Sequence, residues 1–393
     1  MWIIVASPSC TFTAMGNFDC VLVKANSSEL RALSIYHSSL RLPILCRCTT
    51  CHQLCFKVTI LNAPYACLEY FQVVLQQFYM IVHTSIQQLP VFQNACITIG
   101  TFDGVHSGHQ QIIQLMKTEA GKVNGETVII TFHPHPRKVI GANKTPVHLL
   151  NTLDEKITLL EKYGIGHLVV VPFTEAFANQ TAEAYITDFL VATFHPHTII
   201  IGHDHRFGKG RSGNFQLLND KAAEYGYEVK EIPGYMLKDM TISSTRIRES
   251  LLRGDIETAA HFLSYDYFFS GIVVEGNKLG RTIGYPTANL FIEDGNKLVP
   301  GNGVYAVLIN DEKLKIKNLG GMMNIGVRPT VDGTQRMIEV NIFDFDKDIY
   351  DQTLTITLKK QLRSEVKFNG LDALKAQLAK DKEAASVELK IKN

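Results

Sequence analysis

Two histidines three residues apart, His106 and His109, stand in the glycine-rich string GTFDGVHSGHQQ of residues 100–111. Side chains at i and i+3 share a helical face, so both imidazoles project from one side of a helix that begins there. Gly100, Gly104 and Gly108 let backbone approach a ligand. Free N–H groups and the positive dipole end of a helix N-terminus favour anions, so the combination suits nucleotide phosphates. An isolated HxxH more often decorates a turn. Here it follows an apolar run and a glycine turn, which favours the functional reading.

Two further strings carry phosphate chemistry. GHDHRFGKGRSGN (202–214) offers Arg206, Lys209 and Arg211 on a loop, but it lacks GxxxxGK[ST] spacing, which excludes a Walker-type NTPase. In ISSTRIR (242–248), Ser244 and Thr245 precede Arg246 and Arg248 at a helix start. The hydroxyls can cap that helix, or with Arg248 can hold β- and γ-phosphates. A fourth string, GIVVEGNKLGRTIGYPTANL (271–290), places Gly276, Gly280 and Gly284 before Thr287 and Asn289. Glycine-rich backbone can wrap phosphates, and a hydroxyl with an amide carbonyl supplies hard oxygen donors of the kind Mg²⁺ accepts. A hairpin with a Pro turn would explain the Gly and Pro but not the whole string. The paired histidines of HPHP (133–136), HPH (195–197) and HDH (203–205) do not make a metal cluster, because alternate residues of extended chain face opposite ways.

These strings sit on a regular framework. ACITIGT (95–101) reads as a buried strand, and Ile112, Ile113, Leu115 and Met116 recur at helical spacing after it. The alternation continues through ETVIITF (126–132), a helix near 153–163, HLVVVPF (167–173), a helix near 181–193, HTIIIGHD (197–204), a helix near 215–225 and YEVKEIP (227–233). Near-continuous β-branched runs alternating with helices predict a parallel sheet covered on both faces, with ligands beyond the carboxyl ends of its strands. After about Ser264 come FFSGIVVEG, GVYAVLIN, KIKNLGGMMNIG, MIEVNIFDF and TLTITLKKQL, which read as an antiparallel barrel or sandwich. Leu371, Leu374 and Leu378 mark a closing amphipathic helix.

At 393 residues the chain has room for two or three domains. It is 46% hydrophobic and 20% charged, with 39 Lys+Arg against 38 Asp+Glu, which excludes a disordered or polybasic chain and points away from nucleic acid or an anionic membrane. The average hides a step. Residues 1–79 carry 5 Lys+Arg and 3 Asp+Glu, against 34 and 35 in the other 314, and they hold seven of the eight Cys. Cys46, Cys48, Cys51 and Cys55 raise a zinc knuckle, yet they make one CxxC without a second pair. No basic n-region marks a secretory signal, and Gln72, Gln76, Gln77, His83, Gln87, Gln88 and Pro90 interrupt the uncharged run at 70–92 that a bilayer helix would need. Residues 1–79 are therefore expected to lie outside the functional enzyme, with Met80 its natural start.

GTFDGVHSGH, FHPHP, GHDHRFGKGRSG and ISSTRIR, in that order, resemble the adenylyltransferase module of the bifunctional riboflavin kinase/FMN adenylyltransferase family. GNKLGRTIGYPTAN, NIGVRPT, EVNIFDFDKDIYDQ and LRSEVKF resemble its riboflavin kinase module. The resemblance covers residues 80 to about 385. It implies an α/β nucleotidyltransferase fold with a Rossmann-like parallel sheet over 80–264, then a small antiparallel β-barrel kinase over 265–393 with a C-terminal helix. It also implies a cytoplasmic, Mg²⁺-dependent enzyme that phosphorylates riboflavin to FMN and adenylylates FMN to FAD, using ATP twice.

By the same resemblance His106 and His109 act on the ATP phosphates beside Gly100, Phe102, Asp103 and Gly104, while Ser244, Thr245 and Arg248 hold the pyrophosphate end. Asp204 serves the flavin, and His205 replaces a usual Phe. In the kinase module Gly276, Gly280 and Arg281 serve ATP, Thr287 and Asn289 the metal, and Asn324, Arg328, Pro329 and Thr330 the flavin. Glu339 takes the proton of the riboflavin 5′-hydroxyl; viewed alone it would be an outward strand residue. Asn341 and Ser264 stand where many members carry His and Gly. The alternatives are an adenylyltransferase for another acceptor, such as nicotinamide mononucleotide or phosphopantetheine, or a non-catalytic flavin- or nucleotide-binding regulator. The kinase motifs speak against the first, and the presence of both His106 and Glu339 against the second.

Overall fold

The computed structural model describes residues 80–393 except 141–147, 203–204, 233–241, 277–278, 312, 331–332 and 392–393, with six short strands before residue 80; side chains at 279, 328–330 and 333–335 also lie outside the description. The chain divides into two compact units, Met1–Tyr79 and Met80–Asn393. All elements below belong to the second.

Six parallel strands form its first sheet: β1 (Ile81–His83), β2 (Cys96–Ile99), β3 (Thr127–His133), β4 (His167–Pro172), β5 (Thr198–Ile201) and β6 (Glu228–Glu231). Their order is β6-β5-β2-β3-β4-β1. Every residue of β2 and β5 is buried, as expected of β-branched runs covered on both faces. The covering helices include α1 (Ser107–Lys122), α2 (Leu153–Glu161) and α3 (Phe215–Tyr225). Asn214 caps α3 by accepting the Leu217 N–H, and Gly226 ends it in the left-handed conformation.

The order fixes where a ligand binds. From β2 the chain builds outward through β3 and β4, then crosses back to lay β5 on the other side of β2. The loops after β2 and β5 thus diverge at a topological switch point, where such sheets hold ligands. The string at 100–111 follows β2, and that at 202–214 follows β5.

Helices α4 (Ser244–Leu252) and α5 (Ile256–Leu263) lead into a closed antiparallel barrel of β7 (Phe268–Val274), β8 (Ala288–Phe291), β9 (Gly303–Asp311), β10 (Ile316–Thr330), β11 (Gly333–Ile342) and β12 (Thr353–Arg363). Its order is β7-β8-β11-β10-β9-β12. One apolar core runs from Leu150, Ile247, Leu251 and Leu263 into the barrel interior at Phe269, Tyr305 and Ile338. Helix α6 (Leu371–Glu388) packs outside the barrel through Leu378 and Ala385.

Several features differ from the sequence reading, among them helix α5, which was not expected, and the following three. Edge strand β1 was not expected; its three residues are too few to show a period. Strand β8 hides in the PTAN string, where turn residues mask four residues of strand. The helix expected at 181–193 is a run from Ala182 to Phe194 whose middle, Tyr185–Val191, is π-helical. Among the described residues no helix is long and apolar enough to cross a membrane.

Candidate active sites

The loop after β2 reaches α1 through residues in the positive-φ region, Phe102 at 48°, Gly104 at 87° and Val105 at 37°. At Gly104 a Cβ would also run into the Leu150 side chain, so glycine is required twice over. His106 occupies the N-cap of α1 but makes no side-chain capping bond, which leaves the imidazole for other use. It stacks on His109 with ring centroids 3.7 Å apart at 16°, and Phe102 lies 4.8 Å from the His109 ring. Both Nδ1 atoms are buried and meet no hydrogen-bond partner among the described residues.

Burial lowers the His106 pKa to about 4, opposed by Asp103. Burial and then His106 push His109 well below its usual value. Both rings are therefore neutral at pH 7, and a neutral imidazole can offer an N–H as a donor. A phosphate entering the cleft would draw protons onto them.

Asp103 ties the loop down. Its carboxylate accepts the Leu150 N–H at 2.9 Å and pairs with Arg248, whose Nε donates to the His148 carbonyl at 2.7 Å. Ser244 Oγ donates to the Asp103 carbonyl at 2.9 Å. The helix cap is neither Ser244 nor Thr245 but Ser243, which accepts the Arg246 N–H, and Thr245 stands exposed in the first turn. Asp204 lies outside the described residues. His205 sits 5.9 Å from the Phe207 ring, which stacks on Tyr185.

Two groups here were given no role in the sequence reading. Lys156, in the first turn of α2, is buried and donates to the Thr101 carbonyl at 2.7 Å; burial lowers its pKa to about 8. Its string LDEKITLLE reads as an ordinary helix start. His135 is lowered to about 4 by burial, with Asp103, Lys156 and Arg248 close enough to act on it, so this histidine of FHPHP borders the same cleft.

The depressed His106 value makes a stability prediction. Because the folded pKa lies below the unfolded one, the unfolded chain binds more protons between pH 6.5 and 4. Stability from this group is present above pH 6.5 and falls as the pH drops toward 4, by about 2–3 kcal/mol at pH 4.5. Urea unfolding at pH 7.0 and 4.5 is expected to show a smaller acid loss for His106→Gln than for the parent chain; identical losses would contradict the burial of a neutral ring.

The second constellation lies on the outer face of the barrel. Strand alternation sends Ile338, Val340 and Ile342 inward and Glu339 and Asn341 outward. Glu339 is the direct cross-strand partner of Asn289 on β8 and of Asn324 on β10. The three line a cavity of about 240 Å³ together with Thr287, Gly280 and Met322, and Leu374 and Leu378 of α6 close one side. Asn289 is buried, and its Oδ1 meets no hydrogen-bond partner among the described residues. At Gly276 a Cβ would collide with the Asn289 amide, so glycine there makes room for it. Asn341 Nδ2 donates to the Pro286 carbonyl at 2.7 Å and holds the turn before Thr287.

Arg281 is exposed on the short helical turn Leu279–Thr282. Arg328, Pro329 and Thr330 end β10, paired with Gln335, Thr334 and Gly333, and their side chains lie outside the described residues. Of the NIGVRPT string, Asn324 reaches the cavity. Sequence reading gave no role to Arg363, which lines the cavity and is gripped by Asp381 of α6 through bonds of 2.7–3.0 Å. Of the zinc alternative, Cys46 and Cys55 fall in the strands Leu42–Arg47 and Leu54–Ile60 and Cys48 and Cys51 lie outside the described residues, as do the side chains of all four.

Comparison with known proteins matches residues 89–246 to the family described as FAD synthetase and residues 263–389 to riboflavin kinase. The bifunctional riboflavin kinase/FMN adenylyltransferase of Haemophilus influenzae is 38% identical over 295 residues, covering 75% of this chain and 94% of that protein. Its namesake from Bacillus subtilis is 38% identical over 295 residues, covering 74% and 90%. Among solved structures, one from Streptococcus pneumoniae titled macrolide-efflux protein superposes with a TM-score of 0.68 at 30% identity, covering 78% of this chain and 98% of that one.

Proposed function

Since the chain belongs to the bifunctional riboflavin kinase/FMN adenylyltransferase family, we propose that the barrel cavity around Glu339 phosphorylates riboflavin and the strand-end cleft around His106 adenylylates the FMN. ATP is the co-substrate of both reactions, and FMN and FAD are the products. The observation that carries the assignment is that Asn289 and Glu339, distant in sequence, are direct cross-strand partners facing one cavity.

In the kinase site the riboflavin 5′-hydroxyl oxygen attacks the γ-phosphorus, the bond to the ADP oxygen breaks, and Glu339 accepts the hydroxyl proton. Glu339 first orients the hydroxyl and takes its proton late, as the bond to phosphorus forms. Mg²⁺ fits beside Thr287 and Asn289, because a buried amide oxygen with no partner among the described residues, lining the same cavity as a hydroxyl, makes a hard donor pair. When bound, the ion would screen the charge of the terminal phosphates. Gly276, Gly280 and Arg281 serve the phosphates, and Asn324, Arg328, Pro329 and Thr330 are assigned to the flavin.

In the adenylyltransferase site an FMN phosphate oxygen attacks the α-phosphorus and pyrophosphate leaves, with no covalent enzyme intermediate. Positioning and hydrogen-bond donation do the catalytic work. His106, His109 and the α1 N–H groups donate to the phosphates over the loop Gly100, Phe102, Asp103 and Gly104. Ser244, Thr245 and the Arg248–Asp103 pair serve the pyrophosphate end, and Asp204 the flavin. The near balance of 39 basic and 38 acidic residues supports small-molecule partners over nucleic acid or a membrane. We place the enzyme in the cytoplasm, where Cys96, the one Cys after Met80, is buried, its pKa pushed up to about 12 by that burial, and stays a thiol.

Residues 80–264 and 265–393 are the two catalytic halves in this reading, and residues 1–79 are dispensable. Its support is the composition step at Met80. A chain starting at Met80, given riboflavin, ATP and Mg²⁺, is expected to form FMN and then FAD at rates within about twofold of the full chain, with an unchanged melting temperature. Loss of either activity on truncation would overturn the division.

A further inference from the structure

Resting on the assignment of the Gly100–His106 loop to ATP, we propose that Lys297, supplied by the kinase half, is a positioning residue for adenylyl transfer at the other site. The family match to riboflavin kinase contains Lys297, and the match to FAD synthetase contains everything Lys297 holds on the far side of the junction.

The Lys297 side chain is fully buried. Its ammonium has three protons and three acceptors: the Leu150 carbonyl at 2.6 Å, Glu155 Oε2 at 2.5 Å and the Phe268 carbonyl at 3.0 Å. Phe268 opens the barrel, whereas Leu150 and Glu155 belong to the segment entering α2. The backbone bonds beside it, Leu149 N–H to Asn296 O at 2.6 Å and Leu298 N–H to Leu149 O at 2.8 Å, fix the same join.

From that segment the contacts continue to the ATP loop. The Leu150 N–H donates to Asp103 while its carbonyl accepts from Lys297, so one residue is held from both directions. Glu155 completes the capping box of α2 with Thr152, and the next residue, Lys156, donates to the Thr101 carbonyl. Tyr265, at the start of the kinase half, donates to the Gly104 carbonyl at 2.7 Å. The loop that presents His106 is thus held at Thr101, Asp103 and Gly104 by groups anchored at the junction.

A buried ion pair is a poor device for stability, since apolar residues of similar volume commonly replace one without loss. What it supplies is direction: three bonds of fixed geometry that an apolar contact would not specify. That favours a positioning role for Lys297 over plain adhesion between halves.

The test uses the full chain carrying Lys297→Met with Glu155→Gln, which removes both charges together and keeps an amide oxygen for the Thr152 N–H. Loosening the loop is expected to raise the KM for ATP in adenylyl transfer about tenfold. Riboflavin phosphorylation keeps its kcat and its KM for ATP within about twofold. Tyr265→Phe, which deletes the hydroxyl alone, moves the same constant in the same direction by less. An unchanged KM for ATP in adenylyl transfer would overturn the proposal, as would a fall in both kcat values with neither KM moved, which is the signature of lost folded protein. His106→Ala run alongside separates two failures. If it leaves FAD formation intact, the loop does not serve ATP and the proposal falls with that assignment; if it abolishes FAD formation while the paired variant matches the parent, the role of Lys297 alone is refuted.

Discussion

Replacing His106 with alanine is expected to lower the rate of FAD formation from supplied FMN about 10²–10³-fold, the usual effect of deleting one preorganised donor to a developing charge. The ring is buried at the N-cap of α1, makes no capping bond and stacks on His109, so its place in the cleft is not explained by helix capping. Alanine removes an N–H donor and one wall of the stacked pair together. The loop backbone stays anchored through Asp103 and Ser244. FMN formation is expected to remain within about twofold, because Glu339 and Asn289 sit on the outer face of the barrel with none of these groups among their neighbours in the cavity. The measurement is the initial rate of each product by chromatography, with the melting temperature as a control. Equal loss of both products would show that one site serves both reactions.

Replacing Glu339 with glutamine should do the converse. Glutamine has the same shape and keeps the backbone pairing of β11 with β8 and β10, but it cannot accept a proton at neutral pH. Loss of a positioned proton acceptor typically lowers a rate about 10²–10⁴-fold, and that is the expected fall in riboflavin phosphorylation. Conversion of supplied FMN to FAD should be unaffected. An unchanged kinase rate would remove Glu339 from the chemistry and return it to the role of an outward strand residue.

The parts of both sites legible in the sequence are those whose determinants are local. Gly100, Gly104 and His106 lie within seven residues, and at Gly104 the glycine announces the positive φ of a strand-to-helix turn, whereas Phe102 and Val105 take positive φ with no such signal. The parallel sheet was readable because its central strands β2, β3, β4 and β5 are near-continuous apolar, β-branched runs, and the switch point follows from the strand order. Groups that depend on distant partners were not legible. Lys156 is distinguished from any helix-start lysine by the Thr101 carbonyl 55 residues away, and Asp381 by the Arg363 guanidinium 18 residues before it. The sequence reading put the cap on Ser244 or Thr245, and only backbone geometry shows that Ser243, the residue before them, is the cap. Strand β8 was hidden because its role is set by pairing with β7 and β11 rather than by a hydrophobic period of its own.

The most direct test of two reactions at two sites on one chain follows the phosphorus atoms of ATP. The full chain is incubated with riboflavin, Mg²⁺ and ATP labelled at either the α- or the γ-phosphorus, and FMN and FAD are separated over time. Label from γ should appear first in FMN and then in FAD, whereas label from α should appear in FAD and never in FMN. FMN carrying the γ label with no FAD formed, or FAD without the α label, would contradict the account.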